Sequence, residues 1–312
     1  MYRRPVAALL GLLLSLTLVA CGDDTDSPAS SPATEPSAAG FPVTLTTPAG
    51  AVTIESEPQA IVSLSPTATE TLFAIGAGDQ VVAVDKNSNF PADVPDGDLD
   101  SYEPNVEAIV AHEPDLVVLS NDNNDVVAQL QKLDIPVLIE EAPTSLGRVF
   151  EEIEQLGQAT GNVEAAEALA ESMDADLEEL FASTDADGLT YYYELDSTYY
   201  SQTSRTFLGI VLGELGLVNI ADDADATSSD YPQLSAEHII QSDPDLMLLA
   251  DTKCCAQSAE TLAARPGWDA LKAIASGGVV ELDDDVASRW GPRLVDLVRQ
   301  VAEAAERVAA AA

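Results

Sequence analysis

The chain is expected to fold as α/β: two similar α/β lobes with parallel sheets, joined by one long linking helix, with a ligand cleft between the lobes. Three observations predict this: a long-range repeat, alternating strand and helix patterns, and one long helical run between the halves. Val106 to Ser120 reads VEAIVAHEPDLVVLS and Ala236 to Ala250 reads AEHIIQSDPDLMLLA, at a constant offset of 130 residues. Six of the paired positions are identical, among them Glu107/Glu237, Pro114/Pro244 and Asp115/Asp245. That spacing is too long for a solenoid or propeller repeat and suits two whole domains built on one plan. Clefts between domains are where small ligands usually sit.

Taken in order, Ala60 to Leu64 (AIVSL) is a short apolar run closed by Ser65-Pro66, as in a buried strand. Thr67 to Ile75 continues as a helix, with Gly76 and Gly78 available to end it. Gln80 to Val84 is the next strand. The repeat adds a short helix from Val106, a Pro-Asp turn and the strand Leu116 to Leu119. A helix near Asp125 to Leu133 then leads to the strand Ile135 to Ile139. Alternation of this kind argues for a parallel sheet wrapped by helices. Ser145 to Ala159 is helical, and Asn162 to Ala182 is a longer helical run. It carries Ala165, Leu169, Met173, Leu177 and Leu180 on one face, acids on the other, and Asn162 as its N-cap. Set between two lobes, such a helix would act as a strut rather than a loose hinge. The second lobe restarts with the strand Leu189 to Leu195, a Tyr-rich loop and a helix from Thr206 to Leu215 stopped by Gly216. It ends in the helix Pro292 to Ala309. The expected organisation is a signal segment at 1–20, a tether at 21–41, a first lobe at 42–143, a helical linker at 144–184 and a second lobe at 185–312.

The N-terminus indicates the compartment. Arg3 and Arg4 precede an apolar stretch from Val6 to Val19, too short for a membrane span and shaped like a signal-peptide core. It ends in Leu18-Val19-Ala20-Cys21, which resembles the lipobox of bacterial lipoproteins and marks Cys21 for lipidation. The alternative is a cleaved secretion signal with Cys21 nearby by chance. The Ser-, Pro- and acid-rich segment that follows cannot bury enough apolar surface to order itself. Lipid anchorage on the outer face of the cell membrane is the expectation. The formal charge of −41, from 54 acids against 13 bases, opposes binding to nucleic acid, which needs Lys and Arg for the phosphates. Spread along the chain, it reads as exterior solubility.

Catalytic signatures are lacking. His112 and His238 show no metal-ligand spacing, and no nucleophile elbow, Walker loop or dinucleotide fingerprint occurs. Asp283-Asp284-Asp285 lacks the glycine and terminal glutamate of a calcium loop. No enzyme, metal or cofactor is therefore expected. Beyond Cys21 the thiols are Cys254 and Cys255. In an oxidising compartment they could close a vicinal disulfide, strained because adjacent Cα atoms lie about 3.8 Å apart; the alternative is two separate thiols. Candidate ligand residues lie in loops after strands, where open α/β sheets bind ligands. They are Lys86, Tyr102 and Asn121 in the first lobe, and Tyr199, Arg205, Tyr231, Lys253, Arg289 and Trp290 in the second.

SLSPTATETLFAIGAG, PNVEAIVAHEPDLVVLS, YPQLSAEHIIQSDPDLMLLA and SRWGPRLVD resemble the helix-linked periplasmic binding proteins of ABC importers, over residues 42 to 310. The resemblance implies a monomeric lipoprotein that binds a ferric siderophore, haem or vitamin B12 and hands it to a membrane permease. It also implies that Glu107 and Glu237, one per lobe, pair with permease arginines. Independently, Asn105 and Ser235 stand as N-caps two residues ahead of them, so each glutamate also suits its helix dipole. Tyr102, Tyr231 and Trp290 match positions where family members carry ligand-facing groups. Lys86, Arg205, Lys253 and Arg289 fall in or beside the cleft loops of a base-poor chain, which points to an anionic iron(III)-siderophore. The alternatives are cobalamin or haem, with the four bases paired to neighbouring Asp and Glu, or a non-transport surface lipoprotein.

Overall fold

A computed structural model describes residues 40–47, 50–224 and 229–311; the signal segment, Cys21 and the tether up to residue 39 lie outside them, while Phe41, expected in the tether, packs into the core. The chain opens with a hairpin that the sequence reading did not anticipate, β1 (Val43–Thr47) against β2 (Gly50–Ile54), antiparallel. Their strict alternation buries Leu45, Val52 and Ile54 on one face.

The first lobe follows as β3 (Ile61–Leu64), α1 (Pro66–Ala74), β4 (Val81–Val84), α2 (Val106–Val110), β5 (Leu116–Leu119), α3 (Val126–Gln131) and β6 (Val137–Ile139). Ser65 starts α1, its Oγ accepting the Ala68 N–H at 3.2 Å, with Pro66 in the first turn. The strands form a parallel sheet in the order β4-β3-β5-β6. Two helices then connect the lobes, α4 (Leu146–Thr160) and α5 (Val163–Ser183). The second lobe runs β7 (Thr190–Glu194), α6 (Phe207–Glu214), β8 (Val218–Asn219), α7 (Ala236–Ser242), β9 (Leu246–Leu249), α8 (Thr252–Cys255), α9 (Ala259–Ala263), α10 (Lys272–Ser276), β10 (Val279–Glu281), α11 (Asp284–Ala287) and α12 (Leu294–Ala311). Its sheet is parallel in the order β10-β9-β7-β8.

Both sheets therefore have one topology: the first strand is internal, with the second on one side and the third on the other. The sequence repeat is α2–β5 in one lobe and α7–β9 in the other. Its aspartates explain part of the likeness. Asp115 accepts the Gln59 and Ala60 N–H groups at 2.8 and 3.0 Å, and Asp245 accepts the Thr190 N–H at 2.9 Å. Each ties the turn before the third strand to the start of the first.

At α5, two expectations need correction. Its buried residues are Ala166, Ala170, Met173 and Leu177, whereas Ala165 is exposed and Leu169 and Leu180 are half-buried. The face is set by joint packing on α4 and α12, which shifts it by one position at its start. Asn162 holds the cap position without capping: its amide donates back to the Thr160 carbonyl at 3.1 Å. At about 1.5 Å per residue the helix spans roughly 30 Å.

Strand alternation distributes the core. Ile61, Leu116, Val118 and Leu138 join Tyr191, Tyr193, Leu246 and Leu248 in one apolar cluster that runs through α4, α5 and α12 from lobe to lobe. The intervening residues face outward into two separate clusters, around Leu130 in the first lobe and Trp268 in the second. The lobes thus share a continuous core on the linker side.

Candidate ligand cleft

The first lobe's switch point lies between β3 and β5, where the strand order reverses and open α/β sheets bind ligands. Ser65, Pro66 and Thr67 after β3, and Ser120 and Asn121 after β5, line a cavity of about 410 Å³ closed on the other side by Asp285, Ser288, Arg289 and Trp290. A second cavity of about 300 Å³ shares Ser288, Arg289 and Trp290 and is lined largely by the second lobe, including Tyr193, Gln202, Phe207 and Tyr231. The segment 288–290 stands between them as a partition of one cleft.

Buried hydroxyls hold the first-lobe wall. Asp85, fully buried, accepts Ser88 Oγ at 2.5 Å and Ser101 Oγ at 2.7 Å, while Thr69 Oγ1 donates to Ser63 Oγ at 2.9 Å. These bonds place Ser101 and Tyr102 at the rim, where Tyr102 is exposed. Asn121 donates to Ser120 Oγ at 3.2 Å, and its buried Oδ1 has no partner among the described residues.

Of the nine expected ligand residues, the structure brings five to the cleft: Tyr102, Asn121, Tyr231, Arg289 and Trp290. The other four lie elsewhere. Tyr199 packs into the second lobe, stacked on Trp268 at 5.7 Å with Arg265 over its ring. Lys86 pairs with Asp100 at 2.5 Å, which raises the lysine's pKa and lowers the aspartate's. Arg205 pairs with Asp230 at 2.8 Å, and Lys253 with Asp283 and Asp285 at 2.6 and 2.7 Å. Arg289 is buried and turned to the opposite lobe, Nη1 donating to Glu70 at 2.6 Å and Nη2 to the Asn87 carbonyl at 2.7 Å. Acids neighbouring in space, some distant in sequence, thus pair with all four of these bases.

The second lobe's switch point, between β7 and β9, is plugged. Glu194 is fully buried and receives both Arg265 nitrogens, at 2.6 and 2.5 Å, plus the Tyr192 hydroxyl at 3.1 Å. Beside it both carboxylate oxygens of buried Asp251 lack partners among the described residues, and burial, then the nearby Glu194 charge, pushes its pKa up to about 7. Cys254 and Cys255 are free, exposed thiols in α8. Helical backbone turns consecutive side chains about 100° apart, which works against a vicinal bond. Hydrogen bonding of the Cys254 S–H to Cys255 and, next, burial push the Cys254 thiol up to about 12.

Under the partition, Trp290 meets a buried acidic pair that the sequence reading missed. Glu140, at the end of β6, and Glu152, on α4, line a small cavity with Thr67, Thr71 and Trp290. Both Glu140 carboxyl oxygens are buried without a partner among the described residues, and burial, then the Glu152 charge, holds its pKa well above the usual carboxylate range. Burial raises Glu152 to about 7 against the pull of Arg148, 3.3 Å away. The Trp290 indole nitrogen lies near enough to favour the Glu152 charge but completes no hydrogen bond.

Glu107 and Glu237 sit on the exposed first turns of α2 and α7. Asn105 and Ser235 cap those helices, accepting the N–H of Ala108 and of His238, each at 3.1 Å. Neither glutamate makes an ion pair among the described residues. No described helix is long and apolar enough to cross a membrane.

The family model for periplasmic binding proteins matches residues 61–286. The chain is 30% identical over 307 residues to an uncharacterised ABC transporter substrate-binding lipoprotein, YvrC, of Bacillus subtilis, covering 94% of each chain. It is 32% identical over 317 residues to a cobalamin-binding protein of Halobacterium salinarum, covering 97% of this chain and 85% of that one. Among solved structures, the periplasmic vitamin B12-binding protein BtuF of Vibrio cholerae superposes with a TM-score of 0.66 at 25% identity, covering 80% of this chain and 98% of that one.

Proposed function

Because this chain belongs to the periplasmic binding protein family, we propose that it captures a corrinoid of the cobalamin type outside the cell and delivers it to an ABC importer permease. The observation that carries this reading is the chemistry of the cleft. Its walls offer hydroxyls, amides and aromatic faces, with Trp290 at the partition and Tyr102 and Tyr231 on either side. Its one lining base among the described residues, Arg289, is matched by Glu70 and Asp285. A large flat ligand whose rim carries neutral amides finds aromatic contact and hydrogen-bond partners there. An anionic iron chelate or haem finds no unmatched cation. The cobalamin-binding relative supports the same choice. Glu107 and Glu237, exposed and one per lobe, serve as permease anchors in this reading, and Cys21 as the lipid anchor.

Calorimetric titration of the purified protein tests it. Cyanocobalamin should saturate at a Kd of about 1 μM or tighter, and Trp290→Ala should weaken it about 10- to 100-fold. Saturation by a ferric hydroxamate, a ferric catecholate or haem instead of cyanocobalamin would overturn the ligand assignment.

A further inference from the structure

The acidic pair under Trp290 stands between two spaces. Thr67 and Trp290 line both the main cavity of the cleft and the small cavity that holds Glu140 and Glu152. Glu152 also lines an outer groove of about 370 Å³ with Glu141, Pro143 and Arg148. The pair therefore connects the floor of the cleft to a groove beside α4. Glu140 is held from the cleft side, its backbone N–H donating to the Leu119 carbonyl at 2.8 Å, one residue before Ser120. It is 3% exposed, and neither carboxyl oxygen has a partner among the described residues. A charge there would be buried and unmatched, so Glu140 carries a proton. Glu152 has Arg148 at 3.3 Å, but that guanidinium is drawn outward to Glu151 at 2.7 Å. The charged groups around the pair are thus Arg148 and Glu151 on α4 and Glu141 after β6. Facing it, α1 presents the neutral Thr67 and Thr71, and the partition presents Trp290. One shared guanidinium serves two buried carboxyls.

We propose that Glu140 and Glu152 form a proton site linked to the cleft, so that the protein holds its ligand more tightly below neutral pH and releases it more readily above. The link runs through Trp290. Its indole nitrogen has no hydrogen-bond partner among the described residues and lies near enough to Glu152 to favour that charge. A ligand seated against Trp290 and Thr67 takes water away from the cleft side of the pair. An ionised Glu152 loses solvation by this, whereas a protonated one loses little. Ligand binding therefore favours the protonated pair, and by reciprocity the protonated pair favours ligand. Burial already raises Glu152 to about 7 in the ligand-free chain. The advantage is accordingly complete on the acid side and is lost as pH rises through 7 and beyond. Because Glu152 also lines the outer groove, the proton can enter or leave while the cleft is occupied. A further rise of about one pKa unit on binding corresponds to a roughly five- to tenfold weakening between pH 6.0 and 8.5. This inference rests on the cleft being the ligand site and requires only that the ligand cover Trp290.

Calorimetry at pH 6.0, 7.5 and 8.5 tests the link with cyanocobalamin, which carries no group that titrates near neutrality. The parent protein should lose affinity roughly five- to tenfold from the lowest pH to the highest. At pH 7.5 the heats in phosphate and in Tris should differ, because binding takes up about half a proton and the two buffers supply it at different enthalpies. Glu152→Gln mimics the protonated side chain and leaves Arg148 with Glu151, so it should show the parent's pH 6.0 affinity at all three pH values. Asp251→Asn, at a buried carboxyl that lines none of the cavities lined by Trp290, should keep the parent's slope. If Glu152→Gln fails to fold, Arg148→Gln, which removes the charge favouring ionised Glu152, should move the fall in affinity to higher pH. Equal parent affinity at pH 6.0 and 8.5, or a slope that survives in folded Glu152→Gln, would overturn the proton link. Lack of cyanocobalamin binding at every pH would instead overturn the ligand assignment. Trp290 fluorescence, followed against pH without ligand in Trp268→Phe, then decides the link to the partition, and a pH-independent signal would refute it.

Discussion

Glu152→Gln should flatten the pH dependence of stability between about pH 4.5 and 7. The side chain is 7% exposed, and burial raises its pKa from 4.5 to about 7 despite Arg148 at 3.3 Å. Over that window the folded protein holds a proton that the unfolded chain has released. Stability from this group is therefore complete below pH 4.5 and is lost as pH rises through 7. At about 1.4 kcal/mol per pKa unit, the loss amounts to up to about 3 kcal/mol. Glu140 shifts in the same direction, partly through the Glu152 charge, and so does Asp251, so the parent slope is a sum and the difference between parent and variant reports Glu152 together with its effect on Glu140. Urea unfolding at pH 5.0 and 7.5, followed by circular dichroism, measures it. Glu152→Gln should lose on the order of 2–3 kcal/mol less than the parent between the two pH values. Trp290 fluorescence, recorded in Trp268→Phe, should change over the same range, because its indole lies beside Glu152. Equal pH slopes in parent and variant would refute the burial argument for the Glu140–Glu152 pair.

Glu107→Ala combined with Glu237→Ala should abolish uptake in cells while calorimetry finds ligand affinity unchanged; lost affinity would move these residues from the permease face to the cleft or the core. Arg265→Ala should cost roughly 3–5 kcal/mol in urea unfolding, because it strands the buried Glu194 carboxylate, whereas Arg265→Met with Glu194→Gln should recover most of the loss. Thiol titration of the folded chain should count both Cys254 and Cys255, with slow alkylation of Cys254 at neutral pH because its pKa is pushed up to about 12; a mass change of the protein on reduction would establish the vicinal bond instead.

What the sequence disclosed depended on the range of the physics involved. The strands were legible because a four-residue apolar run such as Leu116–Leu119, fully buried, has few other ways to fold. Helix starts were legible where a local cap decides them, as at Asn105 and Ser235. The short hairpin Val43–Ile54 carried its signal in plain alternation but lay beside the low-complexity tether and drew no assignment of its own within the first lobe. Glu70 and Glu152 escaped notice because their meaning comes from groups 219 and 138 residues away in sequence, Arg289 and Trp290. A helix pattern shows which side chains share a face and is silent on what covers that face.

The bases illustrate the same limit and bear directly on the ligand. In sequence, Lys86, Arg205, Lys253 and Arg289 look like scarce positive charge gathered near the cleft. In space, each meets a carboxylate at 2.5 to 2.8 Å. At physiological salt an exposed charge is screened beyond about 8 Å, so the chain's large net acidity has little say inside the cleft. Local groups decide there, and the Arg289 charge is cancelled by Glu70 and Asp285 within the wall it builds. In the proposed reading, orientation of a ligand comes from neutral partners, such as Asn121, whose buried oxygen is unmatched among the described residues, and from the faces of Trp290, Tyr102 and Tyr231. Such a site rewards a ligand with many weak neutral donors spread around a flat body, and offers no single strong contact to a compact anion.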